Sequence, residues 1–294
     1  MSNSGAMSEH LQEIWSNWRE RAGPCKGCPH WGNGGGKAPF YGIGEITNGD
    51  PVVAFVGHEG GTGGGTELAD IVSRDVSNLS EDQIDRIRKF IQESYPLQFG
   101  DYRARDLMES GICNGDLTDD GNPNSPHMRT CYDTFRQSGS RSYNLFFTNI
   151  KKCGESYGFD EEESGSREAT SRCLQYLSPE LEFLDPDIVI PFGNRAAGAV
   201  FSNYEFEQNY PSSFDKKHPY DAGGIRSESL KLYETGDGIG IIPSLHFSYK
   251  RFNQNFSQMQ SERDDLPEGM LKPDYWKKMV MVADEFLDNS HHVN

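Results

Sequence analysis

Six cysteines are spread through the chain. The first two, Cys25 and Cys28, form a C-x2-C pair in the glycine- and proline-rich stretch GPCKGCPHWGNGGGKAP. Two thiolates at that spacing on a turning loop can point at one metal ion or cluster. Cys153 and Cys173 are further candidates, the first directly after an apolar run and the second on a helical stretch. No second C-x2-C pair exists, which weakens a zinc ribbon, although His30 can complete a zinc site with Cys25 and Cys28. On spacing alone, a metal or cluster site and plain reduced thiols are equally good readings. Cys113 and Cys131 lack ligand spacing and read as ordinary thiols.

Short apolar strands and amphipathic helices must position these residues. Val52-Val53-Ala54-Phe55-Val56 predicts a buried strand ending in the glycine-rich turn GHEGGTGGG. Leu145 to Thr148, Asp187 to Gly193 and Gly238 to Pro243 predict three more. A helix is predicted over 8–22, where Leu11, Ile14, Trp15 and Trp18 recur at helical spacing. Others are expected over 66–94 in two pieces, the second capped by Ser80, over 165–184, from Asn194 to Phe201, and over 273–288 with Pro273 near its start. The stretch 111–128 is a long polar loop. Strands alternating with helices imply a parallel sheet with helices on both faces, an α/β fold. Such sheets carry their working residues at the carboxyl ends of the strands. Those ends here are GHEGG, Asn149 to Cys153, GNRAA and SLHFS. With no repeat and no clear linker, one domain over 1–294 is expected.

Hydrophobic residues make up 35% of the 294 and aromatics 12%, enough to bury a core. No apolar run approaches the roughly 20 residues that a membrane helix needs. The start MSNSGAMSEH has no basic region followed by an apolar one, so a cytoplasmic location is expected. In that compartment six cysteines are more readily reduced thiols or ligands than a disulfide framework. The net charge of −17 argues against a nucleic-acid partner, since such proteins are usually basic. High salt shortens that repulsion to a few ångströms, about 3 Å at 1 M, and a local basic strip can then still meet phosphates.

Four pieces in order change the balance: the C-x2-C pair, VVAFVGHEGG, FFTNIKKC…SRCLQYLSPELEFLDPDIVIPFGNRAA, and IIPSLHFSYKR. Together they resemble the uracil-DNA glycosylase superfamily, and most of all its iron–sulfur branch, family 4. The likeness covers 25–61 and 145–251, and 62–144 looks like a long insertion. The resemblance implies a three-layer α/β/α fold with a four-stranded parallel central sheet. It implies a structural [4Fe–4S] cluster on Cys25, Cys28, Cys153 and Cys173. It also implies base flipping from DNA and hydrolysis of the N-glycosidic bond, with DNA containing uracil or a modified base as the partner and a monomer as the working form.

Excision builds positive charge on the sugar and negative charge on the leaving base, and the base must first leave the stack. The resemblance makes His246 the donor to the base oxygen; alone, it would read as a surface or packed histidine. Asn149 would read the pyrimidine edge, because an amide offers both donor and acceptor; its plain role is a strand-end turn. The family turn begins Gly-Glu-Ala-Pro-Gly, where this chain has Gly57-His58-Glu59-Gly60-Gly61. His58 therefore stands at the family's glutamate. Glu59 follows one residue later, with Glu67 more distant, and His58 can itself orient a water as a base. Loss of the proline and gain of Gly63, Gly64 and Gly65 suit a wider pocket and a base larger than uracil. Phe99, in LQFGDYRARDLME, is the nearest likeness to the family's stacking aromatic, with core packing an equal reading. Gly57 and Ser248 belong to the two loops that would line the substrate. Phe247 replaces a family proline and suits a wedge into the duplex or packing under the loop. Lys250, Arg251, Lys151 and Lys152, with Arg136 and Arg141, would form the basic strip on phosphates. A glycosylase for a different base, for example in defence against foreign DNA, and an inactive DNA-binding homologue are the alternatives.

Overall fold

The apolar runs that mark strands in the sequence are buried strands in the computed structural model. It describes residues 10, 13–14, 16–17, 20–29, 43–44, 49–59, 126–137, 141–152, 164–206, 211, 214, 224–246 and 249–290, in a few cases (Glu59 and Lys250 among them) by backbone only. In chain order the elements are a 3-10 turn Gly23–Cys25, β1 Ile43–Gly44, β2 Val52–Glu59, α1 Pro126–Gln137, β3 Asn144–Lys151, α2 Ser164–Leu184, β4 Ile188–Pro191, α3 Gly193–Asn203, α4 Ile225–Glu228, β5 Tyr233–Glu234, β6 Gly240–Ile241, α5 Tyr249–Glu262 and α6 Lys272–Ser290. The fold is α/β, with a mostly parallel sheet flanked by helices, as the alternation of strands and helices implies. The helices expected over 66–94 lie outside the described residues.

The chain divides into two compact units. One comprises Met1–Thr47, Glu59–Asn124 and Phe147–Asp185; the other comprises Asn48–His58, Ser125–Phe146 and Pro186–Asn294. In the second unit β2, β4 and β6 run parallel. Val53 pairs with Ile188 and Val56 with Pro191, while Val189 pairs with Ile241. β5 closes this side antiparallel to β6. Asp187 fixes the register: its N–H donates to Val52 O, and its carboxylate accepts the Val52 N–H at 2.7 Å. Val53 to Val56 and Ile188 to Ile190 are fully buried, which is why both strands read as unbroken apolar runs rather than as alternation. Phe55 stacks on Phe192 at 5.9 Å and meets Phe135 of α1 edge-on at 5.3 Å. α3 packs on β4, and its Ala196, Ala197 and Ala199 are buried with Val200 and Phe201. In the same unit Phe252 of α5 stacks on Trp276 of α6 at 5.2 Å.

In the first unit α2 spans the helix expected over 165–184, and its stripe Cys173, Tyr176, Leu177, Glu180, Leu181 and Leu184 is buried. His10 packs edge-on against Tyr176 and Phe183 of α2 and hydrogen-bonds Tyr176 O at 2.9 Å. β3 starts in the second unit, where Asn144 N donates to Pro51 O, and its residues from Phe147 on belong to the first. Among the described residues no helix is long and apolar enough to cross a membrane.

Candidate functional site

Parallel register brings three chain segments to one end of the second unit's sheet. β2 runs on past Val56 to Gly57 and His58, β4 runs into Phe192 and Gly193, and Ser244 to His246 follow β6. Phe192 and Ser244 form a parallel bridge, and Gly193 N donates to Ser244 O at 2.8 Å. The carboxyl ends of adjacent parallel strands are where α/β sheets bind ligands. Gly57 and His58 lie within β2 rather than in a turn after it, and His58 is buried. The strand therefore extends beyond the apolar run that announces it.

His246 is half-buried and tightly seated. Gly193 has φ +82°, and a Cβ there would lie 3.2 Å from His246 Cδ2 and 3.3 Å from its Cβ. Glycine at 193 thus permits both the left-handed turn into α3 and the approach of the imidazole. The segment ahead of the histidine hangs on Tyr275 of α6. The Tyr275 hydroxyl accepts the Leu245 N–H at 2.8 Å and shares a hydrogen bond with the Ser244 hydroxyl at 3.1 Å. Burial pushes Tyr275 up to about 12, so it works as a neutral phenol. Asn194 is a structural residue: its Oδ1 accepts the Ile225 N–H at 2.9 Å. A half-buried imidazole on a segment fixed in this way is suited to donate to a developing anion.

Cys25, Cys28 and Cys173 belong to the first unit. Cys25 to Cys28 form a tight turn, with Cys28 N donating to Cys25 O at 3.2 Å and Gly27 at φ +69°. A left-handed residue at that position makes glycine the natural occupant. Arg172, next to Cys173 on α2, donates to Lys26 O at 2.7 Å and to Pro24 O at 3.5 Å, so the helix grips the loop on both sides of Cys25. The Tyr176 hydroxyl lies 3.7 Å from Cys25 Sγ. Burial pushes the Cys25 thiol up to about 11; the Tyr176 hydrogen bond opposes this, and the charges of Cys173 and Cys28 add to it. Burial also raises Cys173, opposed by a hydrogen bond from the Lys152 backbone N–H and by the charges of Lys152 and Lys151. Burial outweighs these aids, so Cys25 and Cys173 rest as protonated thiols, and a bound group would have to displace their protons. Three cysteines with N–H groups and cations nearby are still the donor chemistry that suits such a group. Among the described residues no group of three His, Cys, Asp or Glu side chains is drawn together tightly enough to hold a metal ion. Cys153, the fourth candidate, lies outside those residues, as do His30, Phe99, Phe247 and Ser248. Cys131 is buried in α1 as an ordinary core thiol.

Two expected phosphate contacts are corrected. Lys151 is 0% exposed and Lys152 2% exposed, so neither is a surface cation. Lys152 Nζ donates to Thr148 Oγ1 at 2.8 Å and pairs with Glu180. Arg141 is also engaged, ion-paired with Asp284 and Asp288 of α6. Arg251 is exposed on α5, and Lys250 lies in the same first turn. Asn149 is buried in β3. Gly193, Tyr275, Arg172 and Glu180 escaped the sequence reading. Glu180 was open to detection, because it is the one carboxylate on an otherwise apolar helix stripe.

The family model of the uracil DNA glycosylase superfamily matches residues 97–265, more than half of the chain. This span contains β3, α2, β4, α3 and the loop with His246, and it also takes in the latter part of the stretch expected to be an insertion. No curated protein matches the chain.

Proposed function

The chain belongs to the uracil DNA glycosylase superfamily, and from that premise we propose that it is a DNA glycosylase that excises uracil or a related modified base. The observation that carries this reading is His246, seated against Gly193 at the carboxyl end of β6 and braced through Leu245 by Tyr275. A flipped base at these strand ends would receive a hydrogen bond from the imidazole as negative charge builds on its oxygen. A preorganised donor of this kind is worth on the order of 10²–10³ in rate. His58 and Glu59 follow on β2, where a water that attacks the sugar needs a base. Arg251 with Lys250 would hold phosphate.

In the same reading Cys25, Cys28, Cys153 and Cys173 hold a [4Fe–4S] cluster. Bound there, the cluster is a structural tie and takes no part in base release. Arg172 supports this role by joining the C-x2-C loop to the helix of Cys173.

The His58-Glu59 pair, standing where the family has a single glutamate, favours a second reading: a base other than uracil. A base-release assay over a panel of DNAs decides between them, run with His246→Ala and Glu59→Ala. Release of uracil that is abolished in His246→Ala supports the first reading, and release confined to a modified base supports the second. Tight binding to every DNA with no base released would leave a binding protein and remove both.

A further inference from the structure

Lys152 and Glu180 form an ion pair that is almost wholly removed from solvent, with side chains 3% and 0% exposed. Thr148 completes the cluster: its hydroxyl donates to Glu180 Oε2 at 2.8 Å and accepts from Lys152 Nζ at 2.8 Å. The other carboxylate oxygen, Glu180 Oε1, is buried with no hydrogen-bond partner among the described residues. Burying such a pair is costly, and well-packed apolar residues often serve stability as well or better. A pair kept under those conditions points to a task other than stability.

Its location supplies the task. Glu180 lies two helical turns beyond Cys173 on the same buried stripe of α2. Lys152 follows β3 directly and precedes Cys153 in the chain, and its backbone N–H faces the Cys173 sulfur, where it favours the thiolate. One residue is therefore fixed at both ends, its ammonium on Glu180 and Thr148 and its N–H on a cysteine sulfur. We infer that Lys152, anchored by Glu180, is a positioning residue for the cysteine site: it fixes the N–H that faces Cys173. The inference rests on the cluster reading above. Hydrogen bonds to ligand sulfur tune iron–sulfur centres, and outer partners of ligands typically matter 10–100-fold for metal retention.

The test uses the full chain purified without oxygen, with Lys152→Arg, Lys152→Met and the double variant Lys152→Met/Glu180→Met. The double variant leaves no buried charge unpaired and so keeps the experiment readable if Lys152→Met alone fails to fold. Iron and sulfide content, the electron paramagnetic resonance spectrum of the reduced cluster and the rate of bleaching in air are measured beside far-ultraviolet circular dichroism. The double variant is expected to fold like the wild type, to shift the resonance spectrum and to lose its cluster on the order of tenfold faster. Lys152→Arg, which can still pair with Glu180, is expected to restore most of the lifetime. A double variant with the spectrum and lifetime of the wild type overturns the inference and leaves the cluster standing. A wild type without iron and sulfide overturns both.

Discussion

At the end of β6 the segment that carries His246 is positioned by a glycine that leaves room, a phenol that accepts the Leu245 N–H, and a backbone bond from Gly193 to Ser244. Around Cys173 the chain uses charge instead, with Arg172 on the loop carbonyls and a buried Lys152–Glu180 pair behind the thiol. The difference follows from what each place would hold. A donor to a developing anion must be ready before charge appears and gains from a fixed, low-dielectric setting. Thiolates carry charge permanently, and cations or N–H donors must offset it.

Variants can break that contrast. The largest effect is expected from His246→Ala, which should lower base release by about 10²–10³ while iron content and thermal unfolding stay close to wild type. An equal loss of iron would show that the two places are not separable. Gly193→Ala comes next. The left-handed backbone costs a Cβ about 1–2 kcal/mol, and the added atom pushes on the imidazole. A misplacement of that kind can cost up to about a hundredfold in rate, to be read as a fall in kcat with little change in KM. Tyr275→Phe removes the acceptor of a buried N–H and should cost about 1–3 kcal/mol in urea unfolding, with a smaller fall in base release. Arg172→Gln belongs to the other side: faster bleaching in air and base release unchanged per loaded molecule. The smallest effect is on pH dependence. Burial lowers the pKa of His10 below 6.5, so its neutral form is the folded one. The stability it supports is fully present above pH 6.5 and is lost as pH falls through the folded value. His10→Gln should flatten the fall in unfolding free energy between pH 7.5 and pH 5.

Much of the frame was legible because it rests on apolar runs. The strands near Val52, Leu145, Asp187 and Gly238 and the helices over 165–184 and 273–288 lie within a few residues of β2, β3, β4, β6, α2 and α6. Three helices were not foreseen, one of them the single-turn α4. α5 is polar overall, and its buried Phe252, Phe256 and Met259 form a thin stripe beside a loop that drew attention for its chemistry. α1 buries Cys131 and Phe135 from a stretch dominated by polar residues. The lysines were misjudged for a physical reason. Adjacent cations after a strand suggest a surface, but their partner Glu180 lies 28 residues beyond Lys152, where only the fold reveals it. Gly193 and Tyr275 were hidden in the same way, since a close approach and a hydroxyl brace leave no pattern in spacing. His246, by contrast, was found through the motif around it and not through its own neighbourhood.

The most direct test of the account is mass-spectrometric detection of the free base when the wild-type chain is in excess over single- and double-stranded DNA carrying one uracil or one modified base. Release of that base and an abasic site in equal amounts is expected of a glycosylase. Stoichiometric binding with neither product from any of the DNAs would contradict that activity.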